Sequence, residues 1–128
     1  MKIKRILILT ILLSACDSDP SKRDSNPLHL PPSGFVADPI KGQLLFNQSC
    51  QSCHGTNGRG TIQGPPLVDK TYEPKHHANL AFNFAVKNGV RSHHWKFGDM
   101  PAVPEISPEM IGHITQYIRT LQKQAGIQ

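Results

Sequence analysis

Two thiols and an imidazole fall within five residues at Cys50-Gln51-Ser52-Cys53-His54. Three chemistries use cysteines at this spacing. A redox-active Cys-x-x-Cys needs a βαβ setting, and no alternating strand pattern flanks this run. A structural zinc site needs a second ligand pair at matching spacing, and the one remaining cysteine, Cys16, stands alone far upstream. The third is covalent attachment of haem c, for which Cys-x-x-Cys-His is the recognised signal. The thiols add across the two porphyrin vinyl groups, and two intervening residues on a tight helical turn match the distance between those vinyls. His54 then follows as proximal iron ligand, so the reading assigns Cys50 and Cys53 to thioethers and His54 to the metal.

Such a run has to be held by something, and the chain offers little apolar material. Its 128 residues are 38% hydrophobic and 6% aromatic, with 11 prolines and 10 glycines. Chains this lean commonly depend on a metal or cofactor as a staple. Asp38-Pro39 starts one helix, Asp as cap and Pro at the first helical position. Ile40, Leu44 and Leu45 recur along one side of it with Phe46 adjacent, running toward Cys50. Ser107-Pro108-Glu109 is a second start of the same kind. It opens a helix with Ile111, Ile114, Ile118 and Leu121 at helical spacing and Tyr117 beside them. A shorter helix is expected over 79–87, carrying Leu80, Phe84 and Val86 and stopped by Asn88-Gly89. The connections are rich in Gly, Pro and His, without strand alternation or internal repeat. The expected fold is all-α, three to four helices packed around one covalently bound haem that fills the middle.

With these residues in view, the chain over nearly all of Asp38 to Gln128 resembles the class I cytochromes c. Gly42 and Phe46 precede Cys50 by eight and four residues. In that family this Gly and aromatic pack on an aliphatic-aromatic-aliphatic set of the last helix, here Ile114, Tyr117 and Ile118. Gly55 follows the histidine, as is common there. Gly64-Pro65-Pro66-Leu67 resembles the family's Gly-Pro-x-Leu loop, implying that the Pro65 carbonyl accepts a hydrogen bond from His54; otherwise the two prolines are simply a stiff loop. Gly98-Asp99-Met100-Pro101 resembles its sixth-ligand loop, implying that Met100 hangs a thioether over the far haem face. A thioether raises the reduction potential relative to a second imidazole. Met1 leaves with the signal described below, and Met110 is expected to pack within the last helix.

Four histidines leave alternatives open. His93-His94 could offer an imidazole in place of Met100, and His76-His77 could make a copper or zinc site with them. Alternatively all four are surface loop residues or donors to haem propionates. Trp95 is expected over one haem edge, its indole N–H within reach of a propionate. Arg91 and Lys96 are candidates to offset propionate charge, while His29 and His113 show no site spacing. Lys41, Lys70, Lys75 and Lys87 are candidates to steer an acidic partner.

The N-terminus is an address. Lys2, Lys4 and Arg5 precede an apolar run from Ile6 to Leu13, then Ser14-Ala15 and Cys16. The layout is that of a secretory signal, its apolar run too short to span a bilayer. Leu13-Ser14-Ala15-Cys16 resembles the lipobox of bacterial lipoproteins, implying a diacylated Cys16 as the mature N-terminus; the alternative is an ordinary cleaved signal. Two acyl chains give stable anchoring. Asp17 directly after the cysteine implies retention at the inner membrane, on its periplasmic side. We therefore divide the chain into a signal peptide over 1–15, a lipid-anchored tether over 16–37 and a cytochrome domain over 38–128. The tether holds Pro20, Pro27, Pro31 and Pro32 and as a coil of about 20 residues spans about 25 Å. Leu28, Leu30 and Phe35 could instead lie on the domain surface. Removing the three cations of the signal lowers the formal charge from +5 to +2, with 11 basic against 9 acidic residues, which excludes nucleic-acid binding as the organising theme.

The expected function is a membrane-tethered, mono-haem, monomeric electron carrier between membrane or periplasmic redox proteins. It is not expected to be an enzyme or to act on a small-molecule substrate. Two alternatives stand beside it: a dedicated haem subunit of a larger membrane oxidoreductase, and a haem-based gas or redox sensor with an open sixth site.

Overall fold

A computed structural model describes residues 25–128. The signal peptide over 1–15, Cys16 and the first part of the tether lie outside the described residues. Four helices follow in order: α1 Pro39–Ser49, α2 Gln51–His54, α3 Asn79–Asn88 and α4 Pro108–Gln124, with short 3-10 turns at Thr56–Gly58 and Lys70–Tyr72. The all-α expectation holds. Among the described residues the one β-type pairing is a single antiparallel bridge between Val90 and Met100, and no helix is long and apolar enough to cross a membrane.

Both expected helix starts form. The Asp38 carboxylate accepts from the backbone N–H groups of Ile40 and Lys41 at 2.8 and 3.4 Å, with Pro39 in the first turn. Ser107 Oγ accepts from Met110 N–H at 3.3 Å ahead of Pro108. Each cap satisfies donors that have no partner within the helix.

The framework is the crossing of α1 on α4. Its closeness is set by Gly42, where a Cβ would lie 2.0 Å from the His113 carbonyl oxygen, so any side chain forces the helices apart. One turn on, Phe46 is fully buried, its ring centroid 5.6 Å from that of Tyr117. Ile111, Ile114 and Ile118 are buried along the expected stripe of α4, with Leu121 partly buried beside them. A phenyl ring this enclosed contributes about 3–5 kcal/mol against truncation to alanine.

The buried face of α1 is the one the resemblance implies through Gly42 and Phe46, and not the one its apolar periodicity marks. Ile40 and Leu44 are 72% and 67% exposed, and Gly42 and Phe46 face the core. The approach at Gly42 fixes the rotation of the helix about its axis, and the residues eight and four before Cys50 take the inner face. The same rotation brings Cys50, on that face, to the interior.

Residues 25–37, read from sequence as the end of the tether, lie against the domain, as the alternative for Phe35 and its neighbours allowed. Phe35 and Pro31 pack on Gly112 of α4, and the Phe35 ring meets His113 at 4.8 Å. His29 Nε2 hydrogen-bonds the Ile106 carbonyl at 2.8 Å, Asn83 Nδ2 donates to His29 O at 2.5 Å and Lys87 Nζ donates to Asn26 O at 2.8 Å. His113 Nδ1 accepts from Asp38 N–H at 2.8 Å. Pro31 and Phe35 thus bury apolar surface on α4 while hydrogen bonds tie the segment to α3, which together offset the entropy of ordering it.

Candidate functional site

Between α1, α3, α4 and the loops that join them lies an apolar cavity of 640 Å³, within the range of ordinary cofactor pockets. Phe46, Leu67, Phe82, Val86 and Ile114 form part of its lining, and Cys50, Cys53, His54, Pro65, Trp95 and Met100 all reach it. Every described site residue singled out by sequence therefore meets at one place; Cys16 lies outside the described residues.

The wall nearest α2 is closely held. Cys50 is both C-cap of α1 and N-cap of α2, and its carbonyl accepts from Cys53 and His54 N–H at 3.2 and 2.9 Å. One tight turn thus carries both thiols. Burial, together with Cys53 beside it, pushes the Cys50 thiol up to about 11. The His54 Nδ1–H donates to the Pro65 carbonyl at 2.9 Å. A carbonyl only accepts, so the proton is on Nδ1 and the Nε2 lone pair remains for a metal. Burial lowers the His54 pKa and the Pro65 carbonyl opposes part of that fall, leaving the ring disposed to the neutral, ligating form. The loop behind is tied at several points: Gly60 N–H to His54 O at 2.7 Å, Thr61 Oγ1 to Cys53 O at 2.6 Å, and Leu67 N–H to Gly58 O at 2.8 Å.

Met100, also on the cavity lining, is held by its backbone. Its N–H and carbonyl pair with those of Val90, both at 2.9 Å, just past Gly89, which ends α3. Asp99 Oδ1 accepts from Ser92 N–H at 2.8 Å, and Ser92 Oγ donates to the Trp95 carbonyl. Val103 N–H reaches back to Val86 O at 2.8 Å. The Met100 thioether is thereby delivered to the cavity on a loop whose residues 93–99 are mostly exposed.

Trp95 Nε1 is buried with no hydrogen-bond partner of ordinary geometry. Its indole also acts on the Tyr72 hydroxyl, whose pKa burial raises and Trp95 partly draws back. With the Tyr72 hydroxyl as its one weakly placed partner, the indole N–H would gain from a bound acceptor of ordinary geometry. The residues here fit one kind of group: flat and largely apolar, linked to two neighbouring thiols, metallated opposite His54, and carrying an acceptor at the Trp95 edge. Haem c has those features.

Some of the site escaped the sequence reading. Tyr72 lines the cavity from a 3-10 turn capped by Asp69, whose carboxylate accepts from Thr71 N–H at 2.8 Å; the Asp-Lys-Thr-Tyr turn was its signal. Phe82 lines it from α3, with the Arg119 guanidinium 4.9 Å from its ring centroid. Arg119 also donates to the Tyr72 carbonyl at 2.6 Å and to the His77 carbonyl, while Gln122, 1% exposed, donates to Leu67 O at 2.7 Å. Two polar residues of α4 thus hold the irregular 67–77 segment over the cavity.

His77, His93 and His94 border the cavity too, and His76 lies against them. A family model described as Cytochrome c matches residues 40–122. No curated protein and no solved structure matches the chain.

Proposed function

The chain belongs to the cytochrome c family, whose domains of this size hold one covalent haem c and serve haem-based electron transfer, and on that premise we propose a membrane-tethered electron carrier with iron ligated by His54 and Met100. The observation that supports the ligation is the convergence of two groups on one cavity: His54 fixed with its Nε2 lone pair available, and Met100 carried on the Val90 bridge. When bound, the haem supplies a single electron site that changes charge by one between its two states.

The chain's own residues then do four things. Cys50 and Cys53 hold the macrocycle covalently, so it does not exchange between partners. His54 and Met100 would hold the iron between them, which would keep water and gases from the metal and leave no place for a substrate. Phe46, Ile114 and Val86 keep the cavity floor dry, which limits solvent rearrangement on electron transfer. Trp95 and Arg91, both on the cavity lining, would supply an N–H donor and a cation for the haem propionates.

The address at the N-terminus supports a lipid-anchored protein on the periplasmic face of the inner membrane, passing electrons between redox proteins there as a monomer and performing no chemistry on a small molecule. Residues 25–37 lie on the domain, so of the expected tether only 16–24 falls outside the described residues.

Voltammetry of the matured protein tests the carrier reading: one reversible one-electron wave, with the same low-spin spectrum type in both states, is expected. A wave that becomes irreversible, or a change of spin state on reduction, points instead to an opened site and a sensor. Localisation is tested separately with Cys16→Ser, which is expected to move the haem protein from the membrane to the soluble periplasmic fraction.

A further inference from the structure

His76, His77 and His94 place one ring nitrogen each within 4.8 Å of the others, at the mouth of the cavity. We propose that these three imidazoles form a second metal site, distinct from the haem iron, that takes a divalent late transition ion, with zinc the ion its geometry fits. The proposal stands on the imidazoles and asks of the iron only that none of the three is its ligand.

The arrangement is that of a ligand set. His76 Nε2 and His94 Nε2 are 3.3 Å apart. Two imidazoles on a tetrahedral zinc, at Zn–N of about 2.0–2.1 Å, hold their nitrogens about 3.3 Å apart. The third ring is oriented as zinc-bound histidines usually are: His77 Nδ1–H donates to the Thr71 carbonyl at 2.6 Å, which leaves the Nε2 lone pair for a metal. Its backbone is held as well, by Arg119 donating to the His77 carbonyl. His76 and His94 are exposed, so an ion can enter from solvent and keep water as its fourth ligand. No carboxylate joins the group, and an all-imidazole set favours zinc and copper over magnesium or calcium.

His93 packs against His94 with ring centroids 4.2 Å apart and planes tilted by 52°, and its Nδ1–H donates to the Arg91 carbonyl at 2.8 Å. It lies outside the three-nitrogen set and so acts as the internal control.

An ion here would join two loops far apart in sequence, the turn after Tyr72 and the loop after α3. Both border the cavity, so the metal would clamp its mouth and stabilise the loaded protein.

The test is calorimetric titration of Zn²⁺ into the metal-stripped holoprotein and into H76Q, H94Q and H93Q, with thermal unfolding and the visible spectrum recorded for each. The expected result is one zinc per chain, affinity weakened at least about tenfold in H76Q and in H94Q and close to wild type in H93Q, and a zinc-dependent rise in Tm that H76Q and H94Q lose. An unchanged visible spectrum in the variants shows that the haem cavity is intact and that the loss belongs to the second site. The proposal is overturned if zinc does not bind, if H76Q and H94Q bind it like wild type, if H93Q loses it equally, or if H94Q alters the haem spectrum, which would put that imidazole on the iron.

Discussion

The two walls of the cavity are built on different principles. The wall of α2 and the 55–67 loop is cross-tied: His54 is held through its ring by Pro65 and through its backbone by Cys50 and Gly60, and two thiols stand on the same turn. The other wall is a long loop in which Met100 is fixed by two hydrogen bonds to Val90, and its neighbours by local bonds only: Ser92 N–H to Asp99 Oδ1, Ser92 Oγ to the Trp95 carbonyl and His93 Nδ1–H to the Arg91 carbonyl. One side is made for a ligand that never leaves. The other presents a neutral thioether on a segment with few buried contacts, the part of a structure that opens at low free-energy cost. In a carrier this asymmetry would place attachment on one face of the haem and the choice of potential, and of what may approach the iron, on the other.

The largest break in that comparison is C50S with C53S. Covalent haem is expected to be lost altogether, read as disappearance of haem-staining protein on a denaturing gel. M100A attacks the other wall and should behave differently: haem remains attached, the reduced protein gains carbon monoxide binding, and the potential falls, both read in an optical redox titration. Should M100A lose its haem as completely as the cysteine variant, the two walls are not independent. D99A removes the acceptor of the Ser92 N–H and is expected to cost about 1 kcal/mol in chemical denaturation, while speeding displacement of the sixth ligand by added imidazole. P65A keeps the carbonyl that His54 uses, so it is expected to cost less than about 1 kcal/mol, through the freer unfolded chain, and to leave the spectrum unchanged. A large spectral change in P65A would show that the ring of Pro65, and not its carbonyl, orients the imidazole.

How much of this could be read from sequence followed the range of the interactions involved. The Cys50 to His54 run, the Asp38 and Ser107 caps and the Ile111, Ile114, Ile118 stripe are set by neighbours within a turn or two, and each was legible. The rotation of α1 was legible from the resemblance at Gly42 and Phe46 but not from periodicity: Ile40 and Leu44 look like its core face, yet Gly42 meeting the His113 carbonyl turns them outward. That contact joins residues far apart in the chain. Ile106, 1% exposed, and Tyr72 lie in irregular segments with no periodicity to mark them. Residues 25–37 read as tether because their composition is Pro-rich and polar, and only the small Gly112 surface shows where Phe35 and Pro31 belong. The histidine cluster was visible as two pairs, but the chain gives no measure of the 3.3 Å between His76 and His94.

The most direct test of the central claim, that His54 and Met100 close the iron from both walls, is the visible spectrum of the matured protein, ferric and ferrous, with and without carbon monoxide. The account predicts a weak sulfur-to-iron band at the red edge of the ferric spectrum and a ferrous spectrum indifferent to carbon monoxide. A ferric spectrum without that band, together with ready carbon monoxide binding, would contradict it.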